Sequence, residues 1–223
     1  MAQEHHHIFH LTTKLGSGTL LSGLLIGSCL VGSLALGYHG YQQLNNRMAA
    51  VETEVYQYRK HAWLVKVVEE KLKDQKSQIR NDVAETIYTQ AKAKGIPVEY
   101  ILGIIETESE WDLTASNGAA MGVMQIDPHE AAPEVTPSKA ALKSGALYNP
   151  CTNIIAGVSH LARLHSEYVK TKVEKDDEFD PSLCAYNSGR VLNSKNKQLT
   201  NYGYALKVKA IALHYEALFK TPI

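Results

Sequence analysis

Several features that would point to a common class of protein are missing from this sequence of 223 residues. Neither sign of charge is in excess, because 23 basic side chains balance 23 acidic ones, so no nucleic-acid partner is expected. Only three cysteines occur, and the spacing of Cys29, Cys151 and Cys184 fits neither a zinc knuckle nor a CxxC redox pair. Cys151 and Cys184 can pair in an oxidising compartment, but two small buried thiols are the ordinary alternative.

Metal-binding motifs are also scarce. No HExxH motif occurs, and His160 and His165 are five residues apart, which is a poor spacing for one helical face. Histidines at positions 5, 6, 7 and 10 form a cluster that suits metal capture, although a solvated tail or a cloning remnant is the commoner origin. We therefore expect no metal site and no cofactor.

Charged side chains are absent from residues 15–36, a run long enough to span a bilayer. We predict a transmembrane helix over residues 15–38, after an N-terminal tail of residues 1–14. Small residues four apart, such as Gly23 and Gly27, support this because they let helices approach closely in lipid.

Two other interpretations of the apolar run stay open. Lys14 before the run and Ala35-Leu36-Gly37 at its end fit a cleaved secretory signal, although the apolar core is long for one. Ile26-Gly27-Ser28-Cys29 resembles a lipobox, but the residues after Cys29 stay apolar where mature lipoproteins usually turn polar.

Glycine and proline are absent from residues 41–94, so nothing there is expected to break a helix. Apolar residues recur at alternating spacings of four and three, as at the a and d positions of a coiled coil. They are Leu44, Met48, Val51, Val55, Tyr58, Ala62 and Val65. We predict a helical, coiled-coil-like stalk over residues 41–80, about 60 Å long, that forms a homo-oligomer or joins an envelope-spanning complex. The alternative is a long amphipathic helix packed on its own domain.

The sequence pattern over residues 81–223 predicts a compact, mainly α domain. Gly95 ends its first helix, and Pro97 suits the first turn of the next. Residues 121–126 are the only material for strands, enough for a minimal hairpin. The expected helices cover residues 82–94, 100–111, 152–170 and 204–219, with a shorter one near Leu183.

The stretch IIETESEW, residues 104–111, holds three glutamates at alternate positions. On a helical wheel Glu108 falls within the apolar arc of the helix, whereas Glu106 and Glu110 lie on the opposite flank as solvated charges. Burial raises the pKa of a carboxyl group, which suits a general acid. A surface position after an early helix end, or a buried ion pair, would explain Glu108 equally well at this point.

Four motifs follow one another in the second half of the chain. They are Glu108-Ser109-x-Trp111 with Ser116-x-x-x-Ala120-x-Gly122-Val123-Met124-Gln125-Ile126-x-Pro128; Asn149-Pro150 with Asn153-Ile154-x-x-Gly157-x-x-x-Leu161; Ala185-Tyr186-Asn187-Ser188-Gly189; and Tyr204-x-x-Lys207-Val208. Together, over about residues 82–218, they resemble the signature of soluble-lytic-transglycosylase-like (SLT) domains of the lysozyme-like superfamily. Ala119 departs from the family glycine and would be strained at a positive φ, unless the turn has shifted by one residue.

The resemblance implies a lysozyme-like α+β domain with Glu108 as the catalytic residue. It also implies a set of substrate-binding residues, which are Ser109, Ser116, Met124, Gln125, Tyr186, Asn187 and Tyr204. For Tyr186 and Tyr204, core packing with a hydrogen-bonded hydroxyl is the alternative.

The activity implied by the resemblance is cleavage of the β-1,4 bond between N-acetylmuramic acid and N-acetylglucosamine of peptidoglycan, with a 1,6-anhydro product. With the anchor and stalk, this predicts a membrane-tethered lytic transglycosylase on the periplasmic side. It would open the cell wall locally, either as a virion component of an infecting phage or for a secretion or conjugation system. A hydrolytic muramidase and a non-catalytic assembly protein with a glycan-binding domain are the alternatives.

Overall fold

A computed structural model describes residues 17–128, 145–168, 178–189 and 199–221, with only the backbone described for residues 17–37. The described part is mainly helical, as the sequence predicts. Its helices are α1 (Ser17–Lys71), α2 (Ser77–Lys94), α3 (Val98–Glu108), a 3₁₀ turn (Ala146–Tyr148), α4 (Pro150–Tyr168), α5 (Asp180–Ser188) and α6 (Tyr202–Lys220).

The chain divides into two compact units, Met1–Tyr58 and Arg59–Ile223. In the first unit, the side chains described belong to α1, and its apolar ones are exposed. Over the part of the chain whose side chains are described, no helix is long and apolar enough to cross a membrane. Residues 15–37 of the predicted anchor lie outside that part, so the anchor stays a prediction.

The second unit begins earlier than the predicted domain boundary at residue 81. The last turns of α1 contribute Trp63, Leu64, Val67 and Val68 to the core of the second unit, where all four are buried. These residues lie on a different face of the helix from the predicted heptad seam. The helix therefore has a second apolar face, which the heptad pattern does not reveal. From Arg59 onward, α1 is an amphipathic helix packed on its own domain, which was the alternative to a stalk.

Helix α1 ends at Lys71, although neither glycine nor proline lies nearby. A turn follows in which the amide of Gln75 donates to the carbonyl of Leu72 at 2.9 Å. Arg80 from α2 donates to the carbonyl of Lys73 at 3.0 Å, and Leu72 is buried. The hydrogen bond from Arg80 to the turn and the burial of Leu72 thus stabilise a break that the composition does not predict.

Helix α3 lies at the centre of the second unit and is buried on nearly every side. It packs against α6 so closely that a Cβ added to Gly103 would lie 2.7 Å from the carbonyl oxygen of Val208. The helix ends at Glu108 and not at Trp111, because Glu110 and Trp111 have φ values of 50° and 69°. Trp111 is buried, so the chain after α3 turns back onto the core.

Strand pairing in the described residues is limited to two isolated antiparallel bridges, which join Ser116 to Met121 and Met121 to Ile126. The predicted hairpin is therefore reduced to a folded loop over residues 115–127. Cys151 and Cys184 are free thiols and Cys184 is buried, so the structure contains no disulfide between them.

The carboxylate of Glu106 is a junction between three segments of the second unit, and its prediction as a solvated charge was wrong. It accepts hydrogen bonds from Lys71 of α1 at 2.9 Å, Trp111 at 2.7 Å and Tyr215 of α6 at 2.9 Å. The wheel places Glu106 correctly on the flank of α3, but α1 and α6 cover that flank. Burial acts to raise the pKa of Glu106, yet the three hydrogen bonds outweigh it and lower the pKa below its usual value.

We predict that Glu106→Gln lowers the free energy of unfolding by about 1–3 kcal/mol at pH 7, because two donors and a cation lose a charged acceptor. Since the pKa of Glu106 is lowered by folding, its contribution is present above the ordinary value of 4.5 and is lost as the pH falls through the folded-state pKa. Thermal unfolding from pH 3 to pH 8 measures this. The control is Glu110→Gln at an exposed position; a Glu106→Gln curve that coincides with wild type at pH 7 contradicts the prediction.

Candidate active site

An open cavity in the second unit has Glu108 on its wall. The other lining residues come from the 115–127 loop, from α4 and from α5, so distant parts of the sequence meet there. They are Asn117, Ala120, Gln125, Ile126, Asp127, His160, Tyr186 and Asn187. The structure thus brings Glu108 together with three of the predicted substrate-binding residues, Gln125, Tyr186 and Asn187.

Glu108 is the last residue of α3 and is half-buried. Its Oε1 accepts a hydrogen bond from the hydroxyl of Tyr204 at 2.6 Å. Burial raises the pKa of Glu108, and neither this hydrogen bond nor the positive charge of Lys207 cancels the effect. Glu108 therefore keeps its proton to a higher pH than an exposed glutamate, as a general acid requires.

Tyr204 approaches Glu108 from the first turn of α6, as predicted. Its side chain is buried, and burial together with the neighbouring Glu108 raises its pKa well above the usual value. The phenol consequently stays protonated and remains a donor to the carboxylate. Tyr204 is not among the cavity-lining residues, so its contact with the site runs through Glu108.

Ser109 caps the end of α3 and joins it to the loop that follows. Its hydroxyl donates to the carbonyl of Val123 at 2.8 Å and lies 3.2 Å from that of Ile105. Because Ser109 directly follows Glu108, the hydrogen bond to Val123 holds the 115–127 loop close to Glu108. Contact of Ser109 with substrate stays a prediction.

Asn153 of α4 holds the 115–127 loop in place, and sequence reasoning missed this role. Its fully buried amide accepts a hydrogen bond from the backbone N–H of Met124 at 2.7 Å and donates to the carbonyls of Met121 at 2.8 Å and Leu147 at 2.9 Å. Gly122, at φ 78°, passes so close that an added Cβ would lie 2.2 Å from Asn153 Nδ2. A polar residue at a buried helix position was the available signal.

The prediction that Met124 lines the cavity is wrong. Its side chain is fully buried and packs against Gly157 of α4, where an added Cβ would lie 2.6 Å from the sulfur atom. The hydrogen bond from its N–H to Asn153 directs the side chain inward. Its backbone contacts a cavity-lining residue, since its carbonyl accepts a hydrogen bond from the Tyr186 hydroxyl at 3.0 Å.

Gln125 follows with a left-handed backbone, at φ 47°, and this turns its side chain toward the cavity. Its Nε2 donates to the carbonyls of Ala115 at 3.0 Å and Gly122 at 2.9 Å. Both amide hydrogens are thereby used within the loop, and a sugar substituent would meet the Oε1 acceptor.

A turn at the outer edge of the loop resolves the departure at Ala119. Gly118 has φ 95° whereas Ala119 avoids the left-handed region, so the turn has shifted by one residue. The Ser116 hydroxyl lies 3.2 Å from both the carbonyl of Ala120 and the amide of Gly118. Asn117 accepts hydrogen bonds from the amides of Ala119 and Ala120 and lines the cavity, which the sequence did not predict. Ser116 shapes this turn; its contact with substrate stays a prediction.

Helices α4 and α5 contribute the remaining lining residues, His160, Tyr186 and Asn187. The ring of Tyr186 lies edge-on to His160, with 5.4 Å between centroids, and Asn187 accepts a hydrogen bond from Asn201. His160 was considered only as a metal ligand, whereas the structure places its ring on the cavity wall with Nδ1 3.2 Å from Arg163 Nη2. Tyr186 has features of both interpretations given for it, substrate binding and core packing. Its hydroxyl is hydrogen-bonded to the protein, and its ring is half-exposed in the cavity.

Asp127 is a second carboxylate on the cavity wall. It comes directly after Ile126, the last bridged residue of the 115–127 loop, and the motif resemblance implies no function for it. The described residues contain no group of three or more histidines, cysteines or carboxylates that would hold a metal ion. The chemistry of the described site is therefore that of one proton-retaining carboxyl group, a second carboxylate and several hydrogen-bonding side chains.

Comparison with known proteins agrees with this geometry. A family model described as Transglycosylase SLT domain matches residues 85–207. Membrane-bound lytic murein transglycosylase C of Haemophilus influenzae is 38% identical over 105 residues, which make up 44% of this chain and 29% of that protein. The protein of the same name from Mannheimia succiniciproducens is 36% identical over 118 residues, 48% of this chain and 32% of that protein.

The chain matches less than a third of the length of these curated relatives. The family model, however, covers more than half of the chain and includes Glu108, the loop that carries Gln125, and the helices that carry Tyr186 and Tyr204. The chain therefore belongs to the SLT transglycosylase domain family.

Proposed function

We propose that this chain is a peptidoglycan lytic transglycosylase, in which Glu108 cleaves the β-1,4 bond between N-acetylmuramic acid and N-acetylglucosamine. The observation that carries the proposal is a half-buried carboxyl group with a raised pKa on the wall of an open cavity. The relatives named membrane-bound lytic murein transglycosylase C support the substrate class.

The reaction begins with proton transfer from Glu108 to the glycosidic oxygen as the bond from C1 breaks. The acetamido oxygen of the substrate bonds to C1 and stabilises the developing positive charge. Glu108 is now a carboxylate, and the Tyr204 hydroxyl at 2.6 Å stabilises it as an anion. The carboxylate then accepts the proton of the C6 hydroxyl, whose oxygen displaces the acetamido oxygen at C1 and closes the 1,6-anhydro ring.

The remaining site residues hold the glycan strand in place. Gln125 offers Oε1 to a sugar hydroxyl or amide, and Tyr186 offers an apolar ring face with a polar tip. Asn187 lies exposed at the edge of the cavity and suits a contact with a sugar substituent. The other predicted site residues support the site through hydrogen bonds. Tyr204 donates to the carboxylate of Glu108, whereas contacts of Ser109, Ser116 and the Met124 backbone hold the 115–127 loop.

Hydrolysis is a second candidate reaction, and Asp127 is the observation that favours it. Most glycoside hydrolases use two carboxyl groups, one as an acid and the other to activate water or to bond to C1. Asp127 lines the same cavity as Glu108 and can serve as the second of these. Internal attack by the C6 hydroxyl needs no such group, so the two reactions differ in their dependence on Asp127.

The proposed setting is the cell envelope, with the catalytic unit on the periplasmic side of a membrane. The uncharged run of residues 15–36 supports an anchor, as does the word membrane-bound in the names of the relatives. Local opening of the cell wall for phage infection, secretion or conjugation remains a prediction.

Glu108→Gln is expected to lower the clearing of purified peptidoglycan by at least about 100-fold, because glutamine cannot donate a proton to the leaving oxygen. The control is Glu110→Gln, whose side chain is exposed two residues away. Clearing by Glu108→Gln equal to wild type refutes the role of Glu108, and a wild-type chain that binds but never clears peptidoglycan supports the non-catalytic alternative.

The stability of the same variant separates loss of chemistry from loss of fold. Folding raises the pKa of Glu108, so ionisation above the ordinary value of 4.5 destabilises the native state, and this cost is absent at lower pH. Glutamine removes the cost and still accepts the Tyr204 hydrogen bond. The unfolding temperature of Glu108→Gln at pH 7 is therefore expected to equal or exceed that of wild type; a marked decrease contradicts this account.

Mass spectrometry of released muropeptides distinguishes the two reactions. We expect 1,6-anhydro ends from the wild-type chain and unchanged anhydro products from Asp127→Asn, because internal attack needs only Glu108. Reducing ends from wild type that disappear in Asp127→Asn would instead establish hydrolysis with Asp127 as the second carboxyl group.

The mass of the purified native chain tests the anchor. We expect the mass of the full 223 residues, in the membrane fraction. A mass that lacks residues 1–37 contradicts a retained helix in favour of a cleaved signal, and a lipid mass on a chain beginning at Cys29 supports the lipobox.

A further inference from the structure

Six large apolar side chains form a stripe along α1 before the second unit begins. We call this stripe the exposed seam, and each of its members is more than half exposed. It consists of Tyr41, Leu44, Met48, Val51, Val55 and Tyr58. Spacings of three and four alternate without exception, so all six lie on one face of the helix.

The seam has the register of a coiled coil. Tyr41, Met48 and Val55 take the a positions, and Leu44, Val51 and Tyr58 take the d positions. Only Val55 at a and Leu44 at d match the β-branched and leucine preferences of two parallel strands, so the apolar residues alone do not select the number of strands. Only two other large apolar side chains of this stretch, Tyr38 and Tyr56, are exposed away from the seam.

The charged residues that flank the seam indicate what covers it. Arg47 and Glu54 occupy g positions, and Glu52 and Arg59 occupy e positions. In a parallel, in-register pair each g position faces the e position five residues later on the other helix. Arg47 then faces Glu52 and Glu54 faces Arg59, so the four residues form opposite-charge pairs, each occurring twice by symmetry.

An antiparallel pairing satisfies these charges less well. With Met48 placed against Val51 of the other copy, Arg47 faces Glu54, but Glu52 faces the uncharged Asn45 and Arg59 faces the uncharged Tyr38. The pattern of charge thus selects both the partner, which is a second copy of this chain, and the direction in which it lies.

We infer that the exposed seam is the interface of a parallel, in-register, two-stranded coiled coil between two copies of this chain. The interface covers residues 41–59, which is shorter than the stalk predicted over residues 41–80, because α1 from Trp63 onward buries another face in its own domain. Fewer than three heptads give a weak dimer, with a dissociation constant of about micromolar order. The inference is independent of the proposed reaction.

Sedimentation of the full chain in density-matched detergent tests the dimer. Val51→Glu/Val55→Glu places four carboxylates in the interface, and the dissociation constant is expected to rise at least about tenfold. The matched control is Ala50→Glu/Thr53→Glu, which adds the same charge at exposed positions off the seam and leaves the dissociation constant unchanged. A monomeric wild-type chain, or a seam variant that associates as wild type does, overturns the inference.

Charge reversal tests the pairing. Arg47→Glu is expected to weaken the dimer, and Arg47→Glu/Glu52→Arg to restore it, because the reversed pair is again complementary. Rescue by Arg47→Glu/Glu54→Arg in place of that double variant would establish the antiparallel arrangement and overturn the inference.

Oxidative cross-linking tests the register. Val51→Cys is expected to give a disulfide-linked dimer, since identical d positions face each other only in a parallel, in-register pair. Thr53→Cys on the outer face and the wild-type chain with its native cysteines are the controls. Equal cross-linking of the two variants overturns the inference.

Discussion

The fully buried amide of Asn153 is the interaction on which the geometry of the site depends. The 115–127 loop carries five of the cavity-lining residues, yet its strand pairing is limited to two isolated bridges. Asn153 supplies the partners that a strand would otherwise provide: one acceptor for the amide of Met124 and donors for the carbonyls of Met121 and Leu147. Buried backbone groups must be paired, and this one side chain pairs two of them in the loop, the amide of Met124 and the carbonyl of Met121.

Two glutamates on one helix, separated by a single residue, have opposite electrostatic environments. Glu106 is surrounded by donors from α1, α6 and the turn after α3, so folding favours its anion. Glu108 has one strong donor, Tyr204, against the cost of burial, so folding favours its neutral acid. The helical wheel separated the two residues because α3 persists through Glu108, but it described only the helix. The donors around Glu106 come from as far away as Tyr215, and no local pattern contains them.

The same limit explains which elements the sequence predicts well. Helices α2, α4 and α6 agree with their periodicity and caps to within a few residues, because those signals are local. The packing of Met124 against Gly157 and the burial of α1 from Trp63 onward depend on tertiary partners, and both were missed. Of the cavity residues, Gln125, Tyr186 and Asn187 were identified through a motif, whereas His160 and Asn117 became visible only when their elements came together.

The position of Glu108 at the carbonyl end of α3 has a consequence of its own. The peptide dipoles of a helix add up to a partial negative charge near its last turn, and a negative side chain is disfavoured there. Helix α3 ends at Glu108 because the next residues adopt left-handed turns that bury Trp111. The field of the helix therefore acts on the carboxyl group in the same sense as burial. The backbone dipoles of α3 thus favour the protonated form of Glu108 even before a glycan strand displaces water from the cavity.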